Sequence, residues 1–203
     1  MNSAIKTRRI RRYAEQARAE ILDAAEALLA EQPYGELTVE NLMARTGMTR
    51  SAFYHYFSNR EAVMIALLGR IESDLRKGTL PYLKVDTELS PREQMRRAIE
   101  SAVDTFGRHA VVISGVNQAA QQHDAVEAYW RCQIIEPYIG LLADLLRDQH
   151  AAGQTPIERP DEIAHALLLM NSSLVLESIN RDKSLDGVAE TLSSIWLATL
   201  YPE

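Results

Sequence analysis

The 203 residues, 46% of them apolar, suit one sizeable domain or a small domain joined to a larger one. A single cysteine, Cys132, excludes a disulfide framework and a multi-cysteine metal site, and no apolar run approaches a membrane span or an export signal, so a soluble, cytoplasmic protein is expected. The net charge of -6 argues against a nucleic-acid partner, yet residues 1–60 hold nine Lys/Arg against seven Asp/Glu, which leaves thirteen against twenty-one, or -8, for the rest.

The first eighteen residues carry six basic side chains (Lys6, Arg8, Arg9, Arg11, Arg12, Arg18) against Glu15 alone. Such a segment reads as a basic arm held near phosphates, with an acidic body behind it. From about Ala14 to Gln32, the apolar residues Ile21, Leu22, Ala25, Leu28 and Leu29 form a helical stripe that Pro33 and Gly35 end.

Thr38 to Phe57 carries the most specific signal. Thr38 can cap a helix bearing Val39, Leu42 and Met43, Gly47 sits where the chain must turn, and Thr49 can cap a second helix. Arg50, Ser51 and Ala52 then occupy the first turn of that second helix, where base edges are met in a helix-turn-helix. Phe53 and Phe57, four apart, anchor the helix to a core. Arg50 is the candidate base reader, with Ser51 beside it. Thr38, Tyr54, Tyr56, Arg45 and Arg60 suit phosphate contacts, His55 suits either role, and Thr49 is also expected at the DNA.

Ser58-Asn59-Arg60-Glu61 reads as a capping box that starts a helix extending towards Pro81. Tyr82 to Leu89 is a connection, and Ser90-Pro91-Arg92-Glu93 is a second capping box, before a helix with Met95, Ile99, Ala102, Val103 and Phe106. A short apolar helix over Val111–Val116 follows. A long helix then runs from Asp124 to about Ala152, where Pro137 should produce a kink. After a loop from Gly153 to Pro160 come two more apolar helices, over Ile163–Ile179 and Val188–Leu200. No segment alternates as a strand does, so the expected fold is all-α with about nine helices. The division expected is 1–60 for reading DNA and 61–203 for a larger helical body.

The run from Gly47 through Ser51-Ala52-Phe53-Tyr54-His55-Tyr56-Phe57 to Glu61 resembles the TetR family of transcriptional regulators, departing at Ala52, where the family usually has a DNA-contacting threonine. The body is similar to the EthR-like branch at AVDTFGRHAVV (Ala102 to Val112), Ala128–Trp130, LLLMN (Leu167 to Asn171) and SIWLATLY (Ser194 to Tyr201). The resemblance implies a homodimeric repressor built through its last two long helices. It would bind a palindromic double-stranded DNA operator as a dimer and release it when a small, mostly hydrophobic effector fills a cavity in the body. Met95, Ile99, Phe106, Trp130, Ile134, Tyr138, Asn171, Val175 and Trp196 match positions lining that cavity. Asn171 lies inside an apolar run, where either a ligand carbonyl or a backbone group of a neighbouring helix would satisfy it. Ala102 and Pro137 are small where the branch tends to carry aromatics, so the cavity shape should differ.

Two other readings stay open: a DNA-binding regulator with a filled body that answers to a protein partner, and a helical enzyme or carrier. For catalysis the residues offer little. The five histidines do not cluster with cysteine, and Glu162 to His165 has the spacing of a di-iron bundle motif without a second copy. Neither a cofactor nor a metal is expected.

Overall fold

The computed structural model describes residues 2–84, 88–181 and 183–202, with side chains described from Ala14 onward. Ten α-helices follow in order: α1 (Asn2–Glu31), α2 (Val39–Thr46), α3 (Arg50–Tyr56), α4 (Arg60–Thr79), α5 (Pro91–Arg108), α6 (Ala110–Ala120), α7 (Asp124–Trp130), α8 (Glu136–Ala151), α9 (Pro160–Asn180) and α10 (Asp186–Leu200). A π-helical turn over Arg131–Ile135 joins α7 to α8, so these two form the one long helix expected and the total agrees with about nine. Among the described residues there is no strand.

Helix α1 begins twelve residues before its apolar stripe. The basic side chains expected to form an arm (Lys6, Arg8, Arg9, Arg11 and Arg12) lie outside the described side chains. The cap of α4 is Asn59 rather than Ser58: Asn59 Oδ1 accepts the amide of Ala62 at 2.8 Å. Ser90 does cap α5, accepting from Glu93 N–H at 3.3 Å, while the Glu93 carboxylate is engaged by Arg96 and Arg97. At Pro137 the expected kink takes a specific form. Proline cannot donate and crowds the carbonyl four residues back. The π turn accommodates this, with Glu136 N–H reaching the Arg131 carbonyl five residues earlier.

The chain divides into two compact units. The first comprises residues 1–68 and 115–127, the second residues 69–114 and 128–203. This differs from the expected boundary after residue 60, because Val63, Met64, Leu67 and Leu68 of α4 are fully buried. Within the first unit α6 lies close to α1, since a Cβ on Gly115 would stand 2.8 Å from Leu29 Cδ2. Gln118 Oε1 also accepts the Tyr34 amide at 3.1 Å.

In the second unit, α8 packs along α9 and α10 packs on α5. The core between them includes Met95, Ile99, Leu142, Leu146, Leu192, Trp196 and Leu200. Each such side chain stabilises the fold by roughly 1.5–3 kcal/mol through its removal from water. The chain end is fastened by polar bonds: the buried Tyr201 hydroxyl donates to Gln149 Oε1 at 2.7 Å, and Arg92 bonds the Tyr201 carbonyl.

Helix α9 corrects one expectation. Its mean hydropathy of 1.2 over eighteen residues gives it the length and composition of a membrane-crossing helix, with only 28% of that window buried. The reason is that both of its faces are apolar. Ala164, Leu167 and Val175 face the core, while Ala166 and Leu169 are exposed.

Candidate functional site

Two places in the molecule combine unusual exposure or enclosure with specific chemistry, one in each unit. In the first unit the turn between α2 and α3 is built by three local devices. Thr38 Oγ1 accepts the Asn41 amide at 3.1 Å, and Thr49 Oγ1 accepts the Ala52 amide at 3.2 Å. Gly47 ends α2 in the left-handed region at φ +68°, its N–H donating to the Met43 carbonyl at 2.9 Å. Phe53 and Phe57 are buried with ring centroids 6.0 Å apart, which fixes the rotation of α3 about its axis.

That rotation leaves Arg50, Ser51, Tyr54 and His55 exposed together on one face, with Ala52 and Tyr56 half-buried at its margin. Arg50 is held by its neighbours: it pairs with Glu40 of α2, and its Nη2 donates to the Tyr54 hydroxyl at 3.3 Å. Arg45 pairs with Glu31 at the end of α1. The capping hydroxyls of Thr38 and Thr49 accept amide protons and keep their own to donate.

Arg60 differs from the others. It is half-buried, its guanidinium lies 4.6 Å from the Tyr34 ring centroid, and its Nη1 donates to the Leu37 carbonyl at 3.3 Å. Arg18, counted above with the basic arm, lies 4.3 Å over the Phe57 ring and donates to the Tyr56 carbonyl at 3.1 Å. A cation there complements the negative end of α3.

In the second unit, a cavity of about 60 Å³ lies among α4, α5, α8, α9 and α10. Seven of the nine expected residues line it: Met95, Ile99 and Phe106 of α5, Ile134 of the π turn, Tyr138 of α8, Asn171 of α9 and Trp196 of α10. Trp130 and Val175 do not. The Trp130 ring packs on Phe106 at 6.2 Å, behind the wall, and Val175 is a core residue. Ala102 lines the cavity and Pro137 does not.

The wall also holds residues that sequence reasoning missed, chief among them Leu75 and Thr79 on the last turns of α4. None of the lining residues is charged. Asn171 Oδ1 accepts the indole N–H of Trp196 at 2.9 Å, a side-chain partner in place of the ligand or backbone expected. Burial pushes the Tyr138 phenol up to about 12, so it stays neutral and able to donate. Among the described residues no group of His, Cys, Asp and Glu could hold a metal ion.

A short capped helix presenting a basic and aromatic face, in a chain that also holds a cavity with an uncharged lining, is the pattern of a helix-turn-helix regulator. Residues 21–67 match the bacterial regulatory proteins of the tetR family, and residues 95–202 match the C-terminal domain of the transcriptional regulator EthR. The HTH-type transcriptional regulator EthR of Mycobacterium tuberculosis is 32% identical over 190 residues, covering 90% of this chain and 86% of that protein. Its counterpart from Mycolicibacterium smegmatis is 26% identical over 187 residues, covering 90% and 85%. The same fold is seen in SmeT, the repressor of the Stenotrophomonas maltophilia multidrug efflux pump SmeDEF, with a TM-score of 0.71 at 20% identity over 89% of this chain and 88% of that one. The chain belongs to the TetR family, with an EthR-type C-terminal domain.

Proposed function

We propose that this regulator is a cytoplasmic repressor that binds a palindromic operator as a homodimer and leaves it when an uncharged, mostly apolar molecule enters the body. The observation that carries the reading is the cavity, lined by side chains without charge. Ligand pockets usually measure about 300–1,000 Å³, against about 60 Å³ here. Entry of an effector and displacement of the walls are therefore one event, and a ligand that binds only the expanded form shifts the population towards it. Helix α4 supplies Leu75 and Thr79 to those walls and begins at Arg60 in the first unit, which gives the displacement a route to the reading head.

On DNA, Arg50 reads base edges with Ser51, and His55 stands beside them. Thr38, Arg45, Thr49, Tyr54 and Tyr56 contact phosphate, while Arg60 supports the head from behind. A helix of seven residues offers few base contacts, so a second copy supplies the missing specificity. The dimer forms through α9 and α10. Leu169 and Ile195 are 48% and 41% exposed, and small residues beside them (Ala166 and Ser173 on α9, Thr191, Ser194 and Ala198 on α10) permit close helix packing.

The small cavity volume is also what favours the second reading, a filled body answering to a protein partner. Selection of duplexes bound by the purified protein from a random pool tests the DNA-reading half. A two-fold symmetric consensus is expected, and sequences without symmetry would remove the dimeric operator. An operator complex indifferent to every apolar compound would favour the second reading.

A further inference from the structure

Hydroxyls within helices usually close on their own backbone. In this protein Thr46, Thr105, Ser172 and Thr199 donate to the carbonyl four residues earlier, at 3.0, 2.9, 2.9 and 2.8 Å. Thr79 departs from this pattern, and the Tyr138 phenol is held by its ring too far out to follow it. Both line the cavity, both are buried (5% and 7% exposed), and neither hydroxyl has a hydrogen-bond partner among the described residues. The remaining side-chain oxygens of the wall are engaged: Asn171 Oδ1 by the Trp196 indole, and the Ser172 hydroxyl by the Leu168 carbonyl. Thr79 and Tyr138 are thus the two lining hydroxyls left without a partner among the described residues, in a wall made mostly of hydrocarbon.

We infer that Thr79 and Tyr138 form the polar pole of the effector site and select an uncharged carbonyl compound (a ketone, ester or amide) whose oxygen accepts from these hydroxyls. The inference rests on the effector-cavity reading proposed above. A carbonyl oxygen has two lone pairs and needs no counter-charge, whereas a carboxylate or ammonium would be buried among lining residues that carry no charge. The charged groups that act on the Tyr138 phenol, Glu72 and Arg76, pair with each other at 2.7 Å and leave it a neutral donor.

Thr79 also gives the ligand a hold on α4. It is the last residue of that helix, directly after Gly78, where a Cβ would stand 2.5 Å from Ser101 Oγ of α5. The end of α4 is therefore seated closely on α5, and an effector bonded to Thr79 acts on that seat.

The test uses the full chain and two probes of like shape, acetophenone and α-methylstyrene, in which a carbonyl is replaced by a vinylidene group. Calorimetric titration should give the ketone about a tenfold tighter dissociation constant, the effect of one to two net hydrogen bonds. Thr79→Val and Tyr138→Phe should each reduce that preference several-fold and leave hydrocarbon affinity as it was. Without ligand, both variants should melt no lower than the native protein, since the hydroxyl removed had no partner. Equal affinity for the two probes, a preference that survives both substitutions, or a lower melting temperature in both variants would overturn the assignment while leaving the cavity reading intact. Failure of both probes to bind at saturation would overturn the cavity reading and this inference with it.

Discussion

Gly47 and Gly153 provide a matched pair for separating backbone cost from function. Both adopt left-handed φ, +68° and +70°, and a Cβ built on either meets nothing within 4 Å. Replacement by alanine therefore meets no neighbouring element, and its cost is local to the backbone. The left-handed conformation costs a residue with a Cβ roughly 1–2 kcal/mol, and the loss of unfolded-state freedom returns roughly 0.4–1 kcal/mol. The net destabilisation should be about 1 kcal/mol for Gly47→Ala and for Gly153→Ala alike. Asparagine, which enters this region more readily, should cost less at both sites. Their functions should part: Gly47 sets the turn into α3, so only its substitution should weaken operator binding. Urea unfolding followed by circular dichroism gives the stabilities, with hydrogen exchange of α3 and α8 amides reporting the two units. A loss above about 3 kcal/mol at either glycine would show that something other than φ is being disturbed. Equal loss of operator affinity in both variants would refute the role given to the turn.

Arg50→Ala should weaken operator binding roughly tenfold or more, with much less effect on random duplex; equal losses would remove Arg50 from base reading. Glu40→Gln frees Arg50 from its ion pair, so it should tighten operator binding measured by fluorescence anisotropy; unchanged affinity would show that the pair does not restrain Arg50. Leu169→Glu, which puts a charge on the exposed apolar face of α9, should yield monomers in sedimentation, and an unchanged mass would exclude that face from the interface. Burial pushes the Tyr34, Tyr138 and Tyr201 phenols up to about 12. Because these values lie above the unfolded value of about 10, the stability they contribute is complete below that pH and is lost as pH rises through about 12. A spectrophotometric titration should show these three phenols ionising late, towards pH 12; their ionisation near pH 10 in a still-folded protein would contradict their burial.

What could be read from sequence was what depends on near neighbours along the chain. Thr38, Gly47 and Thr49 were legible because a cap and a left-handed turn are decided within four residues. The start of α1 was hidden because its first turns are polar and leave no apolar stripe to count. Ser58 and Asn59 are both good caps, and only the structure chooses Asn59. Arg18 and Arg60 look like phosphate ligands as bare charges, yet each lies over an aromatic ring that comes from elsewhere in the chain.

The cavity shows the same limit. Its apolar walls resemble a solid core in sequence, and Trp130 and Val175 differ from the seven true lining residues only in where they sit around it. Thr79 gave no signal at all. Whether a helical hydroxyl bonds the carbonyl four residues back is settled by its surroundings, and only the absence of that bond marks it.

The link between cavity and reading head is tested most directly by titrating the protein–operator complex with compounds that raise the melting temperature of the free protein, using fluorescence anisotropy of labelled operator. Ala102→Phe, which places a ring into the cavity, serves as the blocked form. Compounds that stabilise the native protein should dissociate its complex and leave the Ala102→Phe complex bound. A compound whose stabilising effect is lost in Ala102→Phe, yet which leaves the native complex intact, would contradict a ligand-released repressor.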